Sequence, residues 1–238
     1  MIENMRIVVV TPTYNELDNM EVLVKKIFSL GVPNLHLFIV DDNSPDGTGI
    51  VADQLSLSYP ITVIHRSAKK GIGPAYIEAF KKIIADKSAD VVIQMDADLS
   101  HDPADIPRLL AAIDRCDLVL GSRYVAGGGT RNWGFLRRLI SRFGSFYSRS
   151  VLSLPYRDLT GGFKCFRRGV LEAINLDSLS SLGYNFQIET TYAAHKKGFR
   201  ICEVPICFTE RAHGKSKFNL AIIVESFFKV IKLRLRGI

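Results

Sequence analysis

The sequence predicts an α/β protein: a mostly parallel sheet covered by helices on both faces. Three observations predict it. Short β-branched runs alternate with amphipathic stretches through the first half. The runs are almost continuously apolar, and each ends in a cluster of polar residues. Strands buried on both faces of a parallel sheet read this way. Ligands of such sheets bind beyond the carboxyl ends of the strands.

Arg6 to Val10 reads as the first strand, ending at Thr11-Pro12-Thr13-Tyr14-Asn15-Glu16. Thr13 and Glu16 have capping-box spacing, which predicts a helix from there to about Leu30, closed by Gly31 to Asn34. Leu35 to Val40 is the second strand and ends at Asp41-Asp42-Asn43-Ser44. A helix follows over about Gly47 to Leu57, then a strand at Ile61 to His65. After Lys69-Lys70-Gly71 comes a helix at Ile72 to Ala85. Val91 to Met95 is the fourth strand, ending at Asp96-Ala97-Asp98. Leu118 to Gly121 is the fifth, ending at Ser122-Arg123. This pattern puts Glu16, Asp42, Asp96, Asp98 and Arg123 along one sheet edge.

The second half has another texture. Between Asn132 and Leu152, Trp133, Leu136, Leu139, Ile140, Phe143, Phe146 and Tyr147 recur near helical spacing, with Arg137, Arg138, Arg142 and Arg149 between them. Phe186 to Lys196 predicts a helix and Ile201 to Phe208 a strand. Phe218 to Leu235 predicts a final, apolar helix ending in Lys229, Lys232, Arg234 and Arg236. The whole chain, 1–238, reads as one domain, with a change of texture near residue 123.

Composition narrows the function. Hydrophobic residues make up 47%, enough for a sizeable core, and the net charge of +7 points to an anionic partner. The four cysteines, at 116, 165, 202 and 207, lack CxxC spacing and read as buried, reduced thiols of a cytosolic protein. The start, Met1-Ile2-Glu3-Asn4, has no signal-peptide pattern. The longest apolar segment falls short of the roughly 20 residues of a spanning helix, so a soluble or peripheral protein is expected. A noncatalytic nucleotide- or RNA-binding module would need aromatic platforms on an open sheet face. Here acids crowd the strand ends, which argues against a nucleic-acid partner.

The sharpest chemical signal is Asp96-Ala97-Asp98. Two carboxylates at a strand end suit a hard divalent cation, Mg²⁺ or Mn²⁺, bridging to a diphosphate; the bland alternative is a solvated acidic turn. Arg123 either reaches phosphate oxygens with its fork or makes a surface ion pair. Glu16 either caps its helix or touches ligand. Asp42 either accepts from a ribose or base, or closes an Asx turn before Pro45. The glycines of Asp158-Leu159-Thr160-Gly161-Gly162-Phe163 allow backbone close to a ligand. Arg211 to Lys217 is a basic loop, a phosphate lid or simply a solvated segment. His101 and His213 lack partners at metal-ligand spacing.

With these residues in hand, the sequence resembles the dolichol-phosphate and polyprenol-phosphate mannose synthases, inverting glycosyltransferases of the GT-A fold. Pro12 to Glu16, Val40 to Thr48 and Asp96 to His101 carry the resemblance in the first half. Gly121 to Tyr124, Asp158 to Phe163 and Arg211 to Lys217 carry it in the second. The resemblance implies a Rossmann-like three-layer α/β/α architecture, with a nucleotide-sugar-binding half over about 1–123 and an acceptor-binding half with interfacial helices over about 124–238. It implies transfer of mannose from GDP-mannose to dolichyl or polyprenyl phosphate; a UDP-glucose donor is the alternative. Pro12, Tyr14, Glu16, Val40 and Asp42 would hold the nucleoside. Asp96, Ala97 and Asp98 would meet the diphosphate and metal, with Ser100 where some relatives have a glutamine ligand. Arg123, Arg211 and Lys217 would neutralise phosphates; Arg137 and Ser141 would meet the acceptor phosphate. Many relatives carry transmembrane helices after the catalytic domain. This chain resembles the soluble type, expected on the cytosolic face of a membrane with a lipid surface or a membrane-embedded partner.

Overall fold

The fold is taken from a computed structural model that describes residues 4–179, 181, 183, 185–210 and 220–236. Four parallel strands build its first half: β1 (Ile7–Thr13), β2 (Leu35–Asp41), β3 (Ile61–His65) and β4 (Val91–Gln94). Between them run α1 (Leu17–Phe28), α2 (Thr48–Ser56) and α3 (Ile72–Asp86). Then come α4 (Ile106–Ile113), β5 (Leu118–Ser122), β6 (Gly129–Arg131), α5 (Phe135–Leu152), β7 (Lys164–Arg167) and α6 (Arg168–Ala173). The last elements are α7 (Asn185–Lys196), β8 (Ile201–Pro205), β9 (Cys207–Thr209) and α8 (Leu220–Arg236).

The seven-stranded sheet has the order β3-β2-β1-β4-β7-β5-β8, and β6 pairs with β9 in a separate parallel ribbon. All pairs of the large sheet are parallel except those of β7, which runs antiparallel between β4 and β5. Strand pleating divides the core. Ile7 and Val9 face one side, with Leu23, Val24 and Ile27 of α1 and Leu109 and Ile113 of α4. Val8 and Val10 face the other, with Tyr76, Phe80 and Ile83 of α3 and Phe186 of α7. This is the expected α/β/α sandwich. A third cluster, Leu152, Leu159, Ile188, Tyr192, Val230 and Leu233, joins α5, α7 and α8. The sheet takes strands from both halves of the chain.

Several expectations are corrected. The capping box does not form: Thr13 still belongs to β1, its hydroxyl donates to Asp41 Oδ1 (3.2 Å), and Glu16 makes no side-chain cap bond to α1. The strand expected over Ile201 to Phe208 breaks at Ile206, because β8 extends the main sheet while β9 leaves to pair with β6. The helix expected from Asn132 begins at Phe135, since Asn132 takes positive φ and Gly134 is extended. The four cysteines are not all buried thiols. Cys116 and Cys202 form a disulfide, Cys165 is a buried thiol, and Cys207 is half-buried.

Candidate active site

The strand order reverses direction between β1 and β4, since β2 and β3 lie to one side and β4 and β7 to the other. In open α/β sheets, ligands bind beyond the carboxyl ends of the strands at such a switch point. The residues after β1 and β4 are Tyr14 to Glu16 and Met95 to Ser100.

The β1 and β2 ends are sewn together. Asp42 N–H donates to the Thr13 carbonyl at 3.0 Å. Asn15, at φ 57°, donates its N–H to Ser44 Oγ (3.0 Å), and Glu16 N–H donates to Thr48 Oγ1 (3.0 Å). The Glu16 carboxylate accepts from Asn19 Nδ2 at 2.7 Å. The Asx turn anticipated at Asp42 is made by Asp41, whose carboxylate accepts from Ser44 N–H at 3.0 Å. Asp42 instead forms a buried ion pair with Arg66, which also donates to Glu78 on α3 (3.0 Å). Pro12 and Tyr14 are half-buried, Val40 is buried, and Lys69 Nζ sits 3.4 Å from the Tyr14 ring centroid.

After β4 the pleat is lost and Leu99 takes φ 58°. The side chain of Asp96 is 28% exposed, and the neighbouring Ala97 and Asp98 are buried. Two groups locate both carboxylates in one neighbourhood. The buried Tyr76 hydroxyl donates to Asp96 Oδ1 (3.4 Å); its pKa is pushed well up by burial and then by Asp96 and Asp98. His101 accepts the Asp96 N–H at Nδ1 (3.2 Å) and stacks on Phe163 at 5.0 Å. Burial lowers His101 to about 4, against the pull of Asp98, so the ring is neutral and Nε2 carries its proton. Gly162 closes this side: a Cβ there would lie 3.4 Å from Asp96 Oδ2 and 3.3 Å from His101 Cε1.

The donor set fits a hard cation. Asp96 and Asp98 supply carboxylate oxygens, and the Ser100 hydroxyl is buried without a hydrogen-bond partner, two residues from Asp98. Among the described residues no group of three or more His, Cys, Asp or Glu side chains forms a cage. These residues would hold the ion by oxygen ligands, the kind that Mg²⁺ prefers.

Arg123 is not at the surface. Its side chain is 6% exposed, and its Nε and Nη2 each lie 2.7 Å from the fully buried Asp158 carboxylate. Nη2 also donates to Thr160 Oγ1 at 2.7 Å. Burial pushes the Asp158 carboxyl up, but the charge and hydrogen bonds of Arg123 outweigh it and leave the group below its ordinary value. Arg137 pairs with Glu210 and lies 4.2 Å from the Trp133 ring centroid; Ser141 accepts from the Tyr124 hydroxyl at 2.7 Å. Arg211 and Lys217 lie outside the described residues.

Several site residues went unread in the sequence. Tyr76 sits in an unremarkable helical repeat, and Arg66 and Glu210 lie beyond the motif runs. Lys164 follows Gly161-Gly162-Phe163, yet it is buried and donates to the Gln187 carbonyl and the Thr190 and Thr191 hydroxyls. A lysine inside a four-residue strand was the available signal for it.

The family model described as "Glycosyl transferase family 2" matches residues 8–174. The chain belongs to glycosyl transferase family 2. It is a glycosyltransferase of the GT-A fold. It is 44% identical to the polyprenol monophosphomannose synthase of Mycolicibacterium smegmatis, over 98% of this chain and 88% of that one. It is 42% identical to the undecaprenyl-phosphate mannosyltransferase of Micrococcus luteus, over 96% of this chain and 93% of that one. Among solved structures, it is similar to the glucosyl-3-phosphoglycerate synthase of Mycobacterium tuberculosis, bound to Mn²⁺, uridine diphosphate and phosphoglyceric acid. That match has a TM-score of 0.70 at 21% identity and covers 98% of this chain and 78% of that one. At that identity the likeness speaks for the fold of this family 2 enzyme alone.

Proposed function

We propose that the protein transfers mannose from GDP-mannose to a polyprenyl phosphate, such as dolichyl phosphate, with inversion. The observation that carries the reading is the pair Asp96 and Asp98 just beyond the carboxyl end of β4, at the switch point of the sheet, beside a buried Ser100 hydroxyl without a hydrogen-bond partner. The two mannosyltransferase relatives support the choice of sugar and acceptor.

In this reading Asp96, Asp98 and Ser100 hold Mg²⁺ or Mn²⁺, which supplies charge neutralisation for the departing diphosphate. Pro12, Tyr14, Glu16, Val40 and Asp42 frame the nucleoside, and Ala97 lets backbone approach the diphosphate. Arg66 neutralises Asp42, so that carboxylate is oriented before ligand arrives. Arg123 acts through Asp158, holding the 158–162 turn against Asp96; Arg211 and Lys217 complete the phosphate contacts. An acceptor phosphate oxygen, near Arg137 and Ser141, forms a bond to the anomeric carbon. The bond from that carbon to the diphosphate oxygen breaks, and its electron pair leaves with the nucleoside diphosphate. The acceptor oxygen is already anionic, so no base need remove a proton. Positioning and charge stabilisation supply the rate.

The acceptor's lipid tail calls for a membrane surface. Phe135, Leu136, Leu139, Phe143 and Phe146 of α5 are exposed, as are Phe228, Ile231 and Leu235 of α8, with Arg138 and Arg142 beside them. Val230 and Leu233 of α8 turn inward. No helix among the described residues is long and apolar enough to cross a membrane. An apolar stripe edged by cations suits peripheral binding to anionic lipid, on the cytosolic face and alone or beside a membrane-embedded partner.

The test incubates purified protein with labelled GDP-mannose or UDP-glucose and a short polyprenyl phosphate, with and without EDTA. Mannolipid that disappears with EDTA is expected. Glucolipid from UDP-glucose in its place, or product undiminished by EDTA, overturns the donor or the metal assignment respectively.

A further inference from the structure

The two carboxylates of the candidate cation site are held in different ways. Asp98 is held from within its own loop, where its Oδ1 accepts from Ser100 N–H at 3.1 Å. The Asp96 carboxylate is reached from α3, where the Tyr76 hydroxyl donates to its Oδ1 at 3.4 Å. The contact is long for a hydroxyl on a carboxylate. Even so, the hydroxyl is buried, and Asp96 is its one hydrogen-bond partner among the described residues. A buried hydroxyl left without a partner is costly. The ring that carries it is fixed. It lies parallel to Phe186 of α7, with centroids 5.8 Å apart and planes 2° apart, and it stacks on Phe80 at 5.7 Å. The helix itself is pinned, since a Cβ on Gly73 would lie 2.2 Å from the Ser181 carbonyl oxygen. Asp96 is the more open end of the pair, with a side chain 28% exposed beyond the end of β4. A carboxylate so placed can turn among its staggered rotamers unless something holds it.

We propose that Tyr76 is a positioning residue for the divalent cation: its hydroxyl, on a ring locked between Phe186 and Phe80, fixes the rotamer of the Asp96 carboxylate before the cation arrives. The inference rests on the metal reading above and deepens it. Phenylalanine would fill the same core volume and keep both ring contacts, so the hydroxyl serves Asp96 and not the packing. Without it the cation must order the carboxylate itself, and the entropy of that ordering is taken from binding. Hydrogen-bond partners of ligating carboxylates typically matter by about 10–100-fold in metal affinity. Tyr76 touches neither cation nor substrate in this account. It acts through Asp96 alone, from the opposite side of the sheet to α1 and α4.

Titration of Mn²⁺ into the full chain saturated with GDP, followed by electron paramagnetic resonance, tests this. Tyr76→Phe is expected to weaken Mn²⁺ binding about tenfold, while Tm falls by no more than about 4 °C. Phe80→Leu is the control, because it disturbs the same core and leaves the hydroxyl. It should lower Tm further, yet change Mn²⁺ affinity by less than about threefold. Tyr76→Leu must show the tenfold loss if the Phe variant does not fold. Unchanged affinity in the Tyr76 variant, or an equal loss in Phe80→Leu, overturns the proposal and leaves Tyr76 as core. Asp96→Ala separates the two claims. Binding that is lost in Asp96→Ala and kept in Tyr76→Phe sinks only this inference. Wild type that takes up no Mn²⁺, or uptake that Asp96→Ala leaves intact, sinks the metal reading, and this inference with it.

Discussion

Replacing Asp158 by Asn puts the largest single strain on the site's frame. The fully buried carboxylate accepts from Arg123 N–H at 3.0 Å, from Arg123 Nε and Nη2 at 2.7 Å each, and from Gly161 N–H at 3.1 Å. Asn keeps the shape but removes the charge and turns an amide against a guanidinium. Arg123, 6% exposed, is left with its buried charge uncompensated. Breaking one side of a buried pair costs about 3–5 kcal/mol. For a chain of this length that lowers Tm by about 6–20 °C. The assay is a thermal melt by circular dichroism, cross-checked by urea unfolding. Arg123→Met combined with Asp158→Leu should cost less than the sum of the single changes, because no lone charge remains. Transfer should fall as well, since the same turn packs Gly162 against Asp96. A loss below about 1 kcal/mol for Asp158→Asn would refute the view that this pair holds the turn.

Three further changes have distinct signatures. Asp96→Ala should abolish labelled mannolipid while the melt stays near wild type, since its side chain is 28% exposed and packs little core; full turnover in Mg²⁺ or Mn²⁺ would remove the metal role. Lys164 is held down to about 7 by burial, with Asp158 pulling the other way. Its folded value lies below the unfolded one, so the cost of burying the charge is present below about 7 and is relieved as pH rises toward 10.5. Wild type should therefore gain about 2 kcal/mol on Lys164→Met between pH 7 and 9 by urea unfolding, and a flat difference would mean that the amine stays charged. The Cys116–Cys202 link closes a separation of 86 residues. Under denaturation without reductant, thiol titration should find two reactive groups rather than four, and reduction should cost about 4 kcal/mol of stability.

Much of this site could be read from residue order. Asp96 and Asp98 follow an apolar run, so their position at a strand end needed only the pattern of Val91 to Gln94. The same holds for Glu16 and Asp42. What escaped reading was what the side chains meet. Arg123 read as either a phosphate clamp or a surface ion pair, but its buried partner Asp158 lies 35 residues on and reaches it only through the fold. Asp42 and Arg66 are joined the same way, across the β2 and β3 ends. The β7 strand was invisible because Lys164 interrupts its apolar run; only α7, bringing three acceptors, makes that lysine tolerable inside. The helix α4 was passed over because Pro107 lies in its first turn, where proline is tolerated. The cysteines looked unrelated at a separation of 86, which loop closure alone cannot foretell.

By itself the sequence determined the layered α/β architecture, the sheet edge where the polar strand ends gather and the place of the Asp96 and Asp98 pair on it. Each of these is local: strand burial shows in apolar continuity, and a strand's polar terminus shows in the next few residues. Only the tertiary structure decided which charges are paired. It set Arg123 on Asp158, Arg66 on Asp42 and Glu210 on Arg137. Those partners are distant in the chain and are brought together by sheet order. Coulomb attraction and desolvation depend on separation in space and on burial, and neither quantity is written in residue order.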